Sequence, residues 1–364
     1  MPSPLGRGSG GAGARATGAR LDGTGAQGAS RDGSGRRQRG VGVLARPRPG
    51  AGTHPAGTDR ATLKPEPTPR TDGGRDADQL TTRRKAMGKF DGKVVLVTGA
   101  ARGQGRSHAV RFAREGADVA VLDVAAQVGS VPYSMPGTDD LDETVKLVEN
   151  LGRKCVSGRV DVRDAPRLGT FVQQVEEELG GVDFLLANAG VFSFSTIAEM
   201  PDQTWQDMVD VNLTGAFHSI RAVLPGMIER RRGRIVATSS MAGKMGMANV
   251  GHYAATKWGL IGLVKSVATE VGQYGVTANV VCTGAVDTPM INNPSAYKLF
   301  LPHLDNPSRE EVVQAFRAFN TIPEAWAECE DISNTMAFLC SDEARFITGE
   351  TIAVALGQNA SNAT

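Results

Sequence analysis

The sequence predicts an α/β fold in which helices cover both faces of a parallel sheet. From Gly88 onward, short apolar runs alternate with amphipathic segments of helical length, a pattern typical of doubly wound sheets. A glycine-rich loop follows the first apolar run, and an aspartate ends the second. Polar residues also end the third and fourth runs, so these groups should meet at the carboxyl edge of the sheet, where such folds bind ligands.

The first strand–helix–strand unit carries the clearest functional signal. Its strand, Val94–Val97, leads into the loop Thr98–Gly105, and a helix is predicted over Arg106–Glu115. A second strand, Asp118–Leu122, ends at Asp123. This order of strand, glycine loop, helix, strand and acid is that of a dinucleotide-binding βαβ unit.

The glycine loop has the residue types that a bound pyrophosphate requires. Glycines let the backbone turn sharply and approach phosphates closely, and the following helix begins with unpaired N–H groups. The loop residues predicted to bind the cofactor are Gly99, Arg102, Gly103, Gln104 and Gly105. Their spacing is Gly-x3-Gly-x-Gly rather than the commoner Gly-x-Gly-x2-Gly.

Asp123 indicates which dinucleotide binds. A carboxylate at the end of the second strand can accept hydrogen bonds from both ribose hydroxyls, and it would repel a 2′-phosphate. Arg102 in the loop could instead serve a 2′-phosphate, because arginine pairs well with phosphates. We expect repulsion by Asp123 to dominate, so the predicted cofactor is NAD rather than NADP.

The alternation of strands and helices resumes after an insertion that follows Asp123. This insertion, 124–140, holds two prolines and two glycines before the next helix. Further elements are predicted at Leu141–Leu151 (helix), Cys155–Val160 (strand), Pro166–Leu179 (helix), Val182–Ala187 (strand), near Pro201 onward (long helix), Arg234–Thr238 (strand), His252–Tyr274 (helix), Val276–Val281 (strand), Ile332–Cys340 (helix) and Thr351–Ala355 (strand). In the long helix, the residues expected in the core are Trp205, Met208, Val209, Val211, Leu213 and Phe217.

A stretch at 283–323 looks irregular and is longer than ordinary connectors, so we interpret about 284–323 as a substrate lid. Residues 87–364 are then one domain of the Rossmann type, with seven strands in the order 3-2-1-4-5-6-7.

Residues 1–86 differ in composition from the rest. They contain 16 Lys and Arg against 7 Asp and Glu, 18 Gly and no Phe, Tyr or Trp, so they cannot bury enough apolar surface to fold. Scattered charges disfavour a nucleic-acid arm, a secretory signal would need an apolar core, and a transit peptide would be poor in acids. We interpret this Gly/Arg/Pro-rich extension as disordered, and Met87 as the native start preceded by sequence translated in error.

Composition also bears on metals, membranes and compartment. No apolar run reaches membrane-spanning length, and the four cysteines lack CxxC spacing. The five histidines do not cluster with acids or cysteines, so no metal site is predicted. We expect a cytoplasmic protein whose partner is a small molecule rather than a nucleic acid or a membrane.

A second group of polar residues follows the fifth strand. Tyr253 and Lys257 are four residues apart and share one face of the predicted helix. Tyrosine, with an ordinary pKa of about 10, is a poor base, and a nearby ammonium would lower that pKa. Ser240 could donate a hydrogen bond to a substrate oxygen. The three residues fit general acid–base catalysis beside a hydride carrier, although Tyr-x3-Lys alone also occurs on ordinary amphipathic helices.

Two further strand ends complete the predicted cofactor site. Asp161-Val162, after the third strand, could hold the adenine edge. Asn188-Ala189-Gly190, after the fourth, brings a glycine backbone close to the nucleotide. Aspartate and glycine end strands in many proteins, so the evidence is their recurrence at one edge of the sheet.

Together these motifs resemble the short-chain dehydrogenase/reductase family over about Gly88–Gln358. The resemblance rests on Thr98-Gly99-x3-Gly103-x-Gly105, Asn188-Ala189-Gly190, Asn212 in Val211-Asn-Leu-Thr-Gly215, Ser240 and Tyr253-x3-Lys257.

The family resemblance implies a role for each matched residue. It implies that Tyr253 is the catalytic acid/base and that Ser240 polarises the substrate oxygen. Lys257 would lower the Tyr253 pKa and hold the nicotinamide ribose, and Asn212 would anchor a water in the proton relay. The carboxamide contacts implied by the resemblance are Val286 and Thr288. Homotetramers are usual in the family.

A finer resemblance is to the carveol dehydrogenase-like subgroup. It rests on Gly99-Ala-Ala-Arg-Gly-Gln-Gly-Arg-Ser-His-Ala109, on the 124–140 insertion and on Asp331-Ile-Ser-Asn334. Members of that subgroup are associated with the redox peptide mycofactocin, here the implied external electron acceptor, and are thought to hold NAD without readily exchanging it. Two departures from the family are Thr283-Gly284, in place of Pro-Gly, and a C-terminal Val354-Ala-Leu-Gly357, in place of an Asp-Gly turn.

We therefore expect an NAD-dependent oxidoreductase that transfers hydride between a secondary alcohol and its ketone. The alternatives are an NADPH-dependent 3-oxoacyl-type reductase, disfavoured by Asp123, and a non-catalytic nucleotide-sensing module, disfavoured by Tyr253 and Lys257. Apolar lid residues suggest a cyclic, terpenoid-like substrate: Met290, Tyr297, Leu299, Phe300, Leu301, Phe316 and Phe319. We expect the 124–140 insertion to fold over the adenosine half of NAD and to slow its release.

Overall fold

A seven-stranded parallel sheet forms the centre of the computed structural model, which describes residues 88–360. Its strands are β1 (Val94–Thr98), β2 (Asp118–Asp123), β3 (Cys155–Arg159), β4 (Phe184–Ala187), β5 (Gly233–Ser240), β6 (Val276–Thr283) and β7 (Thr351–Val354). They pair in the order β3-β2-β1-β4-β5-β6-β7, which confirms the predicted Rossmann-type sheet. The predictions about residues 1–86 and Met87 lie outside the described residues.

Helices cover both faces of the sheet. They are α1 (Gly103–Arg114), α2 (Thr138–Glu149), α3 (Ala165–Leu179), α4 (Asp202–Val209), α5 (Gly215–Glu229), α6 (Gly251–Val271), α7 (Pro294–Phe300), α8 (Arg309–Phe319) and α9 (Cys329–Cys340). Because side chains alternate along a strand, β1 contributes residues to two hydrophobic cores, one on each face of the sheet. Val95 and Val97 pack in the cluster of α1, α2 and α9, whereas Leu96 packs in the cluster of α3, α5 and α6.

The first helix begins earlier than predicted. It starts at Gly103, inside the glycine loop, rather than at Arg106. A Cβ atom on Gly105 would lie 2.1 Å from the Gly99 carbonyl oxygen, so this glycine lets the helix begin directly against the end of β1. Close packing at this point outweighs the poor helix propensity of glycine.

The long helix after Pro201 is interrupted. A single π turn, Asp210–Thr214, joins α4 to α5, and its extra residue rotates the apolar stripe relative to a continuous α-helix. Met208 and Val211 are buried as expected. The prediction that Trp205 and Phe217 belong to the core is wrong, because their side chains are 43% and 39% exposed.

The predicted lid is not irregular, since it contains α7 and α8. Asn293 caps α7 by accepting a hydrogen bond from the Ala296 N–H at 2.9 Å. Ser308 and Glu311 form a reciprocal capping box at the start of α8, with N–H···O distances of 3.2 and 2.8 Å. Both signals are readable in the sequence, but prolines and short helix lengths obscured them.

No helix within residues 88–360 is long and apolar enough to cross a membrane. The four cysteines lie within this range and are all unpaired. The same part of the chain contains no group of three His, Cys, Asp or Glu side chains arranged to hold a metal ion.

Candidate active site

A cavity of about 750 Å³ opens at the carboxyl ends of the strands, a volume in the range of small-molecule sites. Sixteen of the predicted site residues line it: Gly99, Arg102, Gly103, Gln104, Gly105, Asp123, Asp161, Val162, Asn188, Ala189, Gly190, Ser240, Tyr253, Lys257, Val286 and Thr288. The remaining one, Asn212, is buried and does not line the cavity. The structure therefore brings the two predicted groups, the glycine loop and the Tyr253 group, to one site.

The glycine loop forms a cradle that side chains would fill. Gly99 has a left-handed φ of +67°, and a Cβ atom there would lie 2.7 Å from Ala189 Cα. Gly103, with φ +57°, faces the Thr288 methyl group, which is 3.3 Å from the position of a Cβ. The buried Gln104 Oε1 has no hydrogen-bond partner among residues 88–360. A backbone cradle with one unpaired polar atom fits the pyrophosphate and carboxamide groups of a dinucleotide.

Asp123 is held at the edge of this cradle by backbone amides. Its Oδ2 accepts a hydrogen bond from Ala101 N–H at 3.1 Å, and its Oδ1 accepts one from Ala125 N–H at 3.0 Å. Burial raises the pKa of the Asp123 carboxyl, while these amides and the Arg102 guanidinium act in the opposite direction. Each carboxylate oxygen keeps acceptor capacity for a ribose hydroxyl.

Asn188 joins three strand ends. Its side-chain amide donates to the Thr98 and Gly99 carbonyl oxygens at 3.1 and 3.3 Å. Its Oδ1 accepts a hydrogen bond from the Thr238 hydroxyl at 3.2 Å. Thr98 Oγ1 also accepts hydrogen bonds from the N–H groups of Asn188 and Ala189, both at 3.0 Å. These bonds fix the point beyond which the chains leaving β1 and β4 move apart. That separation is the crevice in which doubly wound sheets bind ligands.

The carboxylate that follows the third strand is already paired. Both oxygens of Asp161 accept hydrogen bonds from the Arg163 guanidinium, the shortest at 2.7 Å, and Arg163 also lies 3.7 Å from Asp207. Arg163 lines the cavity beside Val162. An adenine ring at this place would therefore meet a fixed Asp161–Arg163 pair rather than a free carboxylate.

The Tyr253 group has the expected positions but a different electrostatic state. Lys257 Nζ donates to the Thr238 carbonyl at 2.9 Å and lies 5.5 Å from the centre of the Tyr253 ring. Burial lowers the pKa of Lys257 to about 8. Burial also raises the pKa of Tyr253 to about 12, against a smaller lowering by the nearby Ser240 hydroxyl. The expected lowering of the Tyr253 pKa by Lys257 is therefore not found, because desolvation of the tyrosine is the largest effect.

Asn212 fixes the chain behind Tyr253. It lies on the π turn, its Oδ1 accepts from Val191 N–H at 2.8 Å, and its Nδ2 donates to the Val191 carbonyl at 2.9 Å. These two bonds tie α4 and α5 to the chain leaving β4. The π turn that carries Asn212 is the kind of helix defect that often occurs at functional sites. A water relay through Asn212 stays a prediction.

The lid supplies an apolar wall, but not with all the residues expected. Five of the seven predicted lid residues line the cavity: Met290, Leu299, Phe300, Phe316 and Phe319. Tyr297 and Leu301 instead pack with the lid's own small core, and the Tyr297 hydroxyl donates to Asn292 at 3.1 Å.

The C-terminal turn at Val354–Gly357, which departs from the family pattern, contacts the lid. Ile322 N–H donates to the Leu356 carbonyl at 3.0 Å, and Gln358 Nε2 donates to Asn320 Oδ1 at 2.7 Å. Gln358 also lines the cavity. The departure from an Asp-Gly turn therefore lies where the lid joins the sheet, which the sequence did not reveal.

The 124–140 insertion also reaches the cavity. Tyr133 and Met135 line it, and so does Phe192, whose ring packs edge-on against Tyr253 with ring centres 5.0 Å apart. Sequence reasoning missed Tyr133 and Phe192. Tyr133 could have been singled out as the one aromatic residue of the insertion.

The three segments on which the resemblance to the carveol dehydrogenase-like subgroup rests contact one another in the structure. Ser333 Oγ lies 2.8 Å from Ser107 Oγ and 2.7 Å from His108 Nδ1, which joins α9 to α1. Arg106 donates to the carbonyl oxygens of Ala101 and Asp140 at 2.6 and 2.7 Å, which joins the glycine loop to the end of the insertion. The loop, the insertion and the Asp331–Asn334 segment thus act as one packing unit.

Comparisons with known proteins agree with this geometry. A family model described as short chain dehydrogenase matches residues 93–298. A (-)-trans-carveol dehydrogenase from Rhodococcus erythropolis is 44% identical over 273 residues, covering 74% of this chain and 99% of that protein. A crystal structure of carveol dehydrogenase from Mycobacterium avium in complex with NAD is 40% identical with a TM-score of 0.74, covering 75% of this chain and 100% of that one. A 3-oxoacyl-[acyl-carrier-protein] reductase from Staphylococcus epidermidis is 35% identical over 72% of this chain and 97% of its own. The chain therefore belongs to the short-chain dehydrogenase family.

Proposed function

We propose that this protein is an NAD-dependent dehydrogenase that interconverts a secondary alcohol and its ketone, with Tyr253 as the acid/base. The observation that carries the proposal is the shared cavity, in which Ser240, Tyr253 and Lys257 meet the glycine loop. Relatives named carveol dehydrogenase, one of them in complex with NAD, support it.

The chain's own residues would bind the substrate and move the proton. When bound, NAD would accept the hydride from the carbinol carbon. Ser240 would hold the alcohol oxygen while Tyr253 removes the hydroxyl proton. Lys257, 5.5 Å from the Tyr253 ring, would hold the nicotinamide ribose. Tyr253 should titrate lower with a positively charged nicotinamide ring in the cavity, because an adjacent cation favours the phenolate.

The residues proposed to hold the cofactor follow the cavity from one end to the other. Asp123 would accept the adenosine ribose hydroxyls, Asp161 and Val162 would border the adenine, and the glycine loop would bind the pyrophosphate. Asn188, Ala189 and Gly190 would line the nicotinamide side, with Val286 and Thr288 at the carboxamide. This arrangement favours NAD because the Asp123 carboxylate, held in place by the Ala101 and Ala125 amides, would repel a 2′-phosphate.

The lid indicates the substrate class. Five of the apolar residues predicted for the lid line the cavity, so burial of a hydrocarbon ring against them would contribute about 25 cal/mol for each Å² removed from water. We therefore propose a cyclic, terpenoid-like secondary alcohol. The second candidate is an NADPH-dependent 3-oxoacyl-type reductase, which the 35% identical relative favours and Asp123 disfavours.

Three wider features remain proposals from the family resemblance. Mycofactocin would act as the external electron acceptor, the protein would be cytoplasmic, and it would form a homotetramer. The exposed Trp205, Phe217 and Trp258 side chains on α4, α5 and α6 offer apolar surface that such an assembly could bury.

The proposal is tested by the nucleotide that the protein carries and by the alcohols it oxidises. The full chain would be purified and denatured, and the released nucleotide identified by mass spectrometry. Cyclic secondary alcohols would then be screened with an artificial electron acceptor. We expect NAD and oxidation of apolar cyclic alcohols. NADP in the released fraction, with reduction of 3-oxoacyl thioesters instead, would favour the second candidate.

A further inference from the structure

The insertion between β2 and α2 has an internal structure of its own. The Gln127 side-chain amide donates to the carbonyl oxygens of Val128, Val131 and Tyr133 at 3.2, 3.1 and 3.2 Å. Its Oε1 accepts the Met135 N–H at 3.0 Å. The Gln127 side chain thus pairs with three carbonyl groups and one N–H group of the surrounding turn. The shape of the insertion is therefore set by its own residues.

Two contacts fasten the insertion to opposite sides of the crevice between β1 and β4. On the β1 side, the Arg102 guanidinium donates to the Ser134 carbonyl. On the β4 side, the Phe192 N–H donates to the Tyr133 hydroxyl at 3.3 Å. Tyr133 and Ser134 are adjacent, so two consecutive residues span the place where the strand order reverses. Ligands of doubly wound sheets bind at that place.

The Tyr133 hydroxyl retains an unused donor. Its side chain is 9% exposed and lines the cavity, and the oxygen accepts one hydrogen bond from Phe192. No acceptor for its hydrogen exists among residues 88–360 in this arrangement. The hydroxyl interacts electrostatically with both Tyr253 and Arg102, and burial raises its pKa, so it stays a neutral donor. The Tyr133 hydroxyl is therefore near both Arg102 of the glycine loop and the Tyr253 group.

We propose that Tyr133 contacts the cofactor and donates a hydrogen bond to the nicotinamide nucleotide half of NAD. This inference rests on the proposed function, since it takes the cavity as the NAD site. A ligand that reaches from Asp123 to Tyr253 must pass the crevice that Tyr133 spans. A ligand that ends at the pyrophosphate does not reach the Tyr253 side. The insertion would then act on the hydride-transfer end of the cofactor as well as on the adenosine end.

A Tyr133→Phe variant tests this directly, because it keeps the ring and removes only the hydroxyl. The dissociation constants of NAD and of ADP would be measured by calorimetry on nucleotide-free full chain. The matched control is Tyr274→Phe, at the turn after α6, where the ring packs under Arg231 and does not line the cavity. We expect Tyr133→Phe to weaken NAD binding by about threefold to tenfold, the effect of one lost hydrogen bond, and to leave ADP binding unchanged.

Unchanged ADP binding also shows that the glycine loop and the Asp123 pocket have folded in the variant. Equal weakening of NAD and ADP would overturn the proposal, because Tyr133 would then act only through the shape of the insertion. Unchanged binding of both would overturn it as well. If the nucleotide-free wild-type protein binds no NAD, the proposed function itself fails, which separates the two claims.

Discussion

Replacing Tyr253 with phenylalanine should lower alcohol oxidation by about 10²- to 10⁴-fold, the range of a general acid–base contribution, and leave NAD binding intact. The ring would keep its edge-on packing against Phe192, so only the proton-transfer group is lost. Turnover and NAD affinity would be measured on the same preparation, with Tyr274→Phe as the control. Wild-type turnover in Tyr253→Phe would contradict the mechanism.

The same residue sets the expected pH dependence. In the proposed mechanism oxidation needs the Tyr253 phenolate, and burial raises the pKa of Tyr253 to about 12. The oxidation rate should therefore rise with pH, by about tenfold per unit well below the apparent pKa. A bound nicotinamide cation would lower the pH at the midpoint of this rise, but the oxidation rate would still increase with pH. The oxidation rate would be measured over a pH series. We expect it to rise with pH in the wild-type protein and not in Tyr253→Phe.

Replacing Asp123 with asparagine should change cofactor choice. The neutral amide cannot repel a 2′-phosphate, and it loses charge-assisted hydrogen bonds worth about 1.5–3 kcal/mol, or roughly 10- to 150-fold in affinity. We expect kcat/KM for NAD to fall and the preference for NAD over NADP to shrink by about 100-fold. Both cofactors would be compared on one alcohol substrate.

The control for this substitution is Asp118→Asn, at the other end of the same strand. Asp118 accepts the Lys154 N–H at 3.0 Å and pairs with Arg153 at 2.8 Å, and it does not line the cavity. In the Asp123→Asn variant, the single amide oxygen could accept from only one of the Ala101 and Ala125 N–H groups, so thermal unfolding should be recorded alongside the kinetics. Equal use of NAD and NADP by the wild-type protein would refute the role of Asp123.

The parts of the fold that the sequence predicted well are those governed by local pattern. Val94–Val97 reads as a buried strand because four consecutive apolar residues precede a glycine turn, and Asp123 ends the next strand as expected. Tyr253 and Lys257 share a helix face because their spacing fixes it. These features depend on neighbours in sequence, so one chain suffices to find them.

The features that were missed depend on contacts distant in sequence. Tyr133 reaches the cavity because Gln127 shapes the insertion and Phe192, 59 residues later, meets its hydroxyl. The pKa of Tyr253 rises because the assembled site removes water, which the Tyr-x3-Lys spacing alone cannot report. Phe217 faces outward because a π turn shifts the phase of its helix, and no local pattern marked that turn.

The central claim is that Tyr253 and a bound NAD oxidise a secondary alcohol by direct hydride transfer. The most direct measurement mixes NAD-loaded full chain with cyclic secondary alcohols that carry deuterium on the carbinol carbon, without any external acceptor. Mass spectrometry of the nucleotide would then show whether the label has moved. We predict one deuterium on the reduced nicotinamide per bound nucleotide in wild type and none in Tyr253→Phe. Unlabelled, unreduced NAD in the wild-type protein across the alcohol panel, or equal labelling in Tyr253→Phe, would contradict the account.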